Sequence, residues 1–413
     1  MQETLSIEKN SRRTAFWKKP QILAAVIVVL CMGISLALIP VSFETNDDAG
    51  IMGYVSGART GEPEADTIFS LFLWGKLQAS LYALAPGIPW YTIAFLLLVA
   101  VSQWIFFTEV LRLTGRADRL WFGVLYSAAL YALLFLYYSV RLQFTVVSAF
   151  CGAAALTLAL VRCREESLKK LLPWELVVFL LTMFSVNIRS KVALLLLGSG
   201  IGVCGIEFLF LLLSRFSARQ KRVLRNALVS LLVMTAAVML SLGADRIHMN
   251  RSEGWKEFRQ FHIQRAGYTD YGKLRYWDYE DLYRSVGWGP YLFRMVNGWF
   301  FMDEAVTEDA FQTVNEFTRT VDQDRIGSAL RRWWKTGVGQ NPMLVFQSAV
   351  WVGMLAYHGL FPALRGKKKN RRAFCPVIWF GAFLAETSIM PGPVGWSSGP
   401  WRRPCCSRRS PLC

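Results

Sequence analysis

Six carboxylates crowd residues 41–67, namely Glu44, Asp47, Asp48, Glu62, Glu64 and Asp66, and they face a single base, Arg59. Clustered acids suit two tasks. One carboxylate can take the proton from a sugar hydroxyl as a general base, or a pair can hold a divalent cation, Mg or Mn, against a phosphate. Asp47 and Asp48 are adjacent, so their side chains diverge by about 100° on a helix and about 180° on a strand, and they are not expected to share one role. A plainer reading fits the same residues: Thr45 or Asn46 caps a short helix whose first-turn aspartates complement its dipole. Gly50, Gly53, Gly57 and Gly61 permit close approach to a ligand and a flexible loop equally well.

The elements that must position these acids are membrane helices. The chain has 413 residues, 54% of them hydrophobic, and the apolar ones fall in blocks of about the length that crosses ~30 Å of hydrocarbon. The runs 22–39, 90–107, 120–140, 142–161 and 226–244 contain no Lys, Arg, Asp or Glu. Each of 192–214 and 373–390 holds one acid, Glu207 and Glu386, while 341–364 is uncharged but contains His358. The run 176–188 spans only by borrowing from its flanks. An all-α polytopic membrane protein with about nine transmembrane helices is expected. No small-residue cleavage site follows the first run, so it should stay as an anchor.

Charge placement orients the bundle. Lys and Arg number twenty-three across residues 9–19, 112–119, 162–170, 215–225 and 365–372, against five in the alternate loops: Arg59, Lys76, Arg141, Arg189 and Lys191. This bias puts the N-terminus, residues 1–20, in the cytoplasm of a multi-pass plasma-membrane protein, and the acidic loop 41–67 outside. The net charge of +17 therefore reports topology, not a nucleic-acid partner. If the apolar stretch 68–86 crossed, every later loop would change sides. It reads instead as an interfacial helix on the outer leaflet, with Lys76 and Gln78 on its polar side and Pro86-Gly87-Ile88-Pro89 ending it.

Residues 244–340 differ in character, with fourteen acids, fourteen bases and many aromatic rings that need burial to offset the entropy of ordering them. A small, mostly helical extracytoplasmic domain is expected there, followed by membrane helices over 341–390. The end, residues 391–413, is rich in Pro, Arg, Ser and Cys and reads as an aberrant, disordered tail, out of frame with a longer protein. No cysteine pair falls in the large external loop, so no disulfide framework is implied.

The run "ETNDDAGIMGYVSGARTGEPEAD", followed by "LYALAPGIPWY", resembles the beginning of a family of bacterial polytopic membrane proteins related to the GT-C glycosyltransferases. "QFT" at 143–145 and "WKEFRQFHIQRAGYTDY" at 255–271 resemble the same family. The resemblance implies a polyprenyl-phosphate sugar donor, a glycan or lipid acceptor, an interfacial helix beside the first external loop, and an acid of that loop in the active site. Carried over by position, Asp47 or Asp48 becomes the base or cation ligand, with Glu44 as accessory acid. Members have more crossings after the external domain than this chain retains.

A departing phosphate gathers negative charge, for which bidentate Arg is the natural partner. The candidates are Arg265 in the external domain and Arg141, Arg189 and Lys191 at external helix ends, where a basic residue also snorkels without any function. His248 and His262 are weaker candidates for base or ligand. Trp255, Tyr268 and Tyr271 suit stacking on a sugar face, and equally core packing. A polysaccharide polymerase or ligase shares this topology and donor. A flippase or transporter would place charges in mid-membrane.

Overall fold

The structure, a computed structural model, describes residues 19–114, 120–165, 167–212, 218–271 and 274–321, with Gly327. Six helices among them are long and apolar enough to cross a membrane. They are Pro20–Leu38 (α1), Trp90–Arg112 within α4 (Trp90–Thr114), Trp121–Val140, Phe144–Arg162 (α7), Leu168–Ile188 (α8) and Gln220–Met249 within α10 (Ala218–Met249). The described chain is all-α apart from two strands of two residues each. Helices are the form expected of such segments, because a helix satisfies its own backbone groups where no water is available. Residues 192–212 of the run 192–214 fall in α9 (Ser190–Leu212). The runs 341–364 and 373–390 and the tail 391–413 lie outside the described residues, as do residues 1–18.

The short run 176–188 does borrow from its flank. Helix α8 begins at Leu168, where the Ser167 hydroxyl accepts the Lys169 N–H at 3.3 Å. This longer helix takes Glu175 into the crossing, an acid that the sequence pattern leaves outside it.

The span Trp121–Val140 is not uniform. A π turn at Tyr131–Phe135 separates α5 (Leu120–Leu130) from α6 (Leu136–Val140). Polar side chains gather at it: the Ser139 hydroxyl donates to Phe135 O and accepts from Gln103 Nε2, both at 2.8 Å, and the Tyr131 hydroxyl donates to Ser35 Oγ at 2.9 Å.

In the bundle α7 lies along α8, α8 along α10, and α1 along α4. Close approach depends on small residues, as in other membrane bundles. A Cβ at Gly152 would sit 2.4 Å from Leu196 Cδ1 and 2.8 Å from Ser185 Oγ.

Helix α3 (Phe72–Leu84) has 13 residues, too short to cross. Lys76 is exposed as expected, but Gln78 is fully buried, contrary to its expected place on the polar side. The reason is spacing: Trp74, Gln78 and Tyr82 recur every four residues and form one inward stripe.

The chain divides into two compact units at Arg259/Gln260, inside helix α11 (Glu253–Tyr271). Residues 244–259 thus group with the first unit. The second unit contains the rest of α11, a 3-10 turn at Tyr276–Asp278, and helices α12 (Glu280–Ser285), α13 (Pro290–Asn297) and α14 (Glu308–Val321). Its core is aromatic: Tyr268, Tyr283, Trp288 and Phe311 are all buried, and the Trp288 and Phe311 rings meet edge to face at 5.1 Å. The Trp288 indole keeps a partner, donating to Ala305 O at 2.9 Å. The ring density of this region is therefore used mainly for packing.

Candidate functional site

The acidic loop is fixed at both ends. Strand β1 (Ser42–Phe43) pairs in parallel with β2 (Arg141–Leu142), and the Glu44 N–H continues the ladder to Leu142 O at 2.9 Å. Helix α2 (Asn46–Val55) follows, with Thr45 at its N-cap. The short helix expected after Thr45, with Asp47 and Asp48 in its first turn, is present. Thr45, however, donates its hydroxyl to Asp48 Oδ2 at 2.8 Å and gives the helix no side-chain cap.

Asp48 is fully buried, and its other oxygen accepts from the Tyr91 hydroxyl at 3.1 Å and the Phe144 N–H at 2.9 Å. Phe144 opens α7, whose own N-cap residue, Gln143, provides no side-chain bond. Asp48 thus caps a membrane helix from 96 positions away in the chain, where the helix dipole favours a negative charge. Burial is nevertheless the largest influence on its acidity. It pushes the carboxyl from an ordinary 3.8 up to about 6, against the lowering effect of the bonds from Thr45, Phe144 and Tyr91.

Asp47, one residue earlier, is exposed. Glu44 is also exposed and accepts from the Tyr137 hydroxyl at 2.9 Å, while Arg141 reaches Ser42 Oγ on the paired strand. The aspartate pair has therefore divided into an anchor and an open acid. Both Asp48 oxygens are thus engaged by protein donors, while Asp47 is exposed. Among the described residues no group of three or more His, Cys, Asp or Glu converges as a metal site.

Arg189 meets the loop through Phe144. Its guanidinium lies over the Phe144 and Phe69 rings, 5.1 and 5.2 Å from their centroids, and those rings stack on each other at 5.6 Å. The Phe144 backbone thus holds the acid and its ring holds the base. Lys191 is exposed in the first turn of α9.

Segment 66–72 is clamped by the ends of α8 and α10. The Leu71 N–H donates to Asn187 O, and the Ser70 hydroxyl to Ile188 O. Asp245 accepts from the Phe72 N–H at 3.0 Å and from Arg259 at 2.7 Å. His248 pairs its Nε2 with Asp66 Oδ1 at 2.7 Å and stacks on Phe72, ring centroids 3.7 Å apart. Gly75 allows α3 to touch the loop, since a Cβ there would fall 1.8 Å from Ala65 O. Beside this clamp Thr67 Oγ1, Trp74 Nε1 and the Gln78 amide are buried with no hydrogen-bond partner among the described residues. The Trp74 ring lies 6.4 Å from that of Tyr91, the residue that holds Asp48. The site therefore combines a fixed carboxylate, an open one, a stacked guanidinium and unused buried polar groups.

The other candidates serve elsewhere. Arg265 belongs to the second unit and is buried there, its guanidinium 4.8 Å from the Trp299 ring centroid and 5.7 Å from that of Phe301. Thr269 Oγ1 and His262 Nδ1 contact it at 3.2 and 3.1 Å. Tyr268 is a core residue whose hydroxyl is held well above its ordinary range by burial. Trp255 stacks on Phe258 at 5.3 Å. Tyr271 ends α11, and its side chain lies outside the described part.

Three features carry no local signal in the sequence: the Asp48–Phe144 cap, the Asp66–His248 pair, and Glu175. Glu175 is 5% exposed inside α8 and accepts from the Ser230 hydroxyl at 2.5 Å, while its second oxygen has no hydrogen-bond partner among the described residues. No family model, curated protein or solved structure matches the chain.

Proposed function

We propose that the chain is an integral membrane glycosyltransferase of the GT-C kind, moving a sugar from a polyprenyl-phosphate donor to a cell-envelope glycan or lipid acceptor. In this reading the protein crosses the plasma membrane about nine times, with its N-terminus in the cytoplasm. The acidic loop, helix α3 and the aromatic unit then lie on the outer side. The observation that carries the proposal is the division of labour between the two aspartates. Asp48 is locked to the start of α7, Asp47 one residue earlier stays exposed, and the Phe144 ring that opens the same helix carries the Arg189 guanidinium.

Asp47 takes the proton from the acceptor hydroxyl, as a general base must. Arg189 faces the departing phosphate, where a guanidinium stabilises the charge that gathers. Glu44 and Arg141 are exposed at the paired strands beside this loop, and a divalent cation would reach the exposed acids first. The test is transfer from a polyprenyl-phosphate sugar in proteoliposomes. Asp47→Asn should slow transfer by about 10²-fold or more, and Asp48→Asn much less. Wild-type rates in the Asp47 variant would overturn the assignment.

One observation favours a second reading, a carrier of envelope precursors. Glu175 is an acid buried within a span, the kind of residue that marks ion or substrate pathways. Uptake that needs Glu175, with no sugar transfer, would select it.

A further inference from the structure

The second unit carries a groove of about 380 Å³ that has no part in the site above, lined by Arg275, Tyr276, Trp277, Phe293, Arg294 and Asn297, among others. Its volume lies in the range of small-ligand clefts, ~300–1,000 Å³. One wall is the 3-10 turn and the other is the first face of α13. Both are held by the core: Tyr276 stacks on Tyr283 at 5.7 Å and meets Phe293 at 5.3 Å, and Asn297 donates to Phe293 O while accepting from Tyr268.

The charges are unusual. Arg275 and Arg294 are both exposed and line the same groove, and among the described residues neither side chain has an ion pair or hydrogen bond. By contrast Arg284, on the neighbouring helix, is tied to Glu280 at 2.6 Å. Two guanidiniums beside one cleft repel each other unless an anion lies between them, and their forked geometry matches carboxylate or phosphate. Trp277 lines the same groove, 70% exposed and braced edge to face on Tyr276 at 5.0 Å. A rigid, open indole is a platform for a flat ligand face with C–H groups. Tyr276 is 4% exposed, and its hydroxyl has no partner among the described residues.

We infer that this groove binds an acidic glycan segment, a sugar whose ring lies on Trp277 and whose carboxylate or phosphate is gripped by Arg275 and Arg294. The inference does not rest on the proposed transferase activity. A phosphatidylglycerol headgroup would satisfy the arginines too and carries hydroxyls, but it has no sugar ring to lie on Trp277.

The experiment is calorimetric titration of the detergent-solubilised full-length protein with a tetramer of galacturonic acid, its neutral galactose counterpart, inorganic phosphate, and phosphatidylglycerol vesicles. Saturable binding of the acidic tetramer is expected, weakened about tenfold or more by Arg275→Gln with Arg294→Gln and again by Trp277→Ala. Arg284→Gln should bind as wild type. Near-UV circular dichroism checks that each variant keeps its aromatic packing. The assignment is overturned if the acidic and neutral tetramers bind alike, or if the tetramer does not bind at all. It is equally overturned if the arginine variants bind as wild type, or if only vesicles or free phosphate respond to them.

Discussion

The acidic loop of the first unit and the aromatic second unit solve the same problem, holding a non-repetitive stretch of chain in place, by opposite means. Residues 42–72 are held by polar bonds to a short strand and to helix ends: Glu44 to Leu142, Asp48 to Phe144, Ser70 to Ile188, and Phe72 to Asp245. The second unit is held by rings, with Tyr268, Tyr283, Trp288 and Phe311 in mutual contact. Anchoring through a carboxylate is pH-sensitive, whereas ring packing carries no titrating charge. The first therefore suits a place where individual charges must be aimed, and the second suits a platform that displays surface groups.

The contrast can be broken at its strongest point first. Phe311→Ala removes a ring with no solvent exposure and should cost about 3–5 kcal/mol. Limited proteolysis should then cut residues 260–321 while leaving the membrane helices intact. Next, Asp48→Ala leaves the Phe144 N–H and two hydroxyls without their acceptor, an expected loss of about 2–4 kcal/mol in thermal unfolding. Asp48→Asn keeps the acceptor and should cost about 1 kcal/mol or less at neutral pH.

The third prediction concerns pH. The folded Asp48 carboxyl titrates at about 6, above its ordinary 3.8, so the folded state holds the proton more tightly than the unfolded one. The stability this gives is fully present below about pH 4 and is lost as pH rises through 6. It amounts to at most about 3 kcal/mol. Asp48→Asn should flatten that part of the stability curve, and an unchanged curve would contradict the burial argument.

The smallest effect is expected at Trp299, a non-glycine residue with φ of 68° whose ring covers Arg265. Trp299→Gly relieves a strained backbone and loses a cation–π contact. The two nearly offset, leaving a net change under about 1 kcal/mol.

Much of the architecture is legible from periodicity. Long uncharged runs become helices because lipid and helix geometry fix their length, and Pro86-Gly87-Ile88-Pro89 ends α3 as turn chemistry requires. Even the helix opened by Thr45 is readable. What escapes is every contact between distant positions. Nothing local says that Asp48 serves Phe144, that Ser42 pairs with Arg141, or that Asp66 meets His248. Gln78 misleads for the related reason that polarity alone suggests water, whereas its place beside Trp74 and Tyr82 on the stripe decides its burial. The candidate arginines divide likewise: Arg189 is stacked against the loop, and Arg265 is enclosed by rings in the other unit.

The π turn at Tyr131–Phe135 has a mechanical corollary. One extra residue in a turn advances every later side chain by about 100° around the axis. The widened turn therefore sets the phase of Tyr137 and Ser139 against α5, the first half of their own span. Deleting a single residue there would restore an ordinary spiral and swing the Tyr137 phenol off Glu44. The first loop would come loose without any of its own residues having been touched.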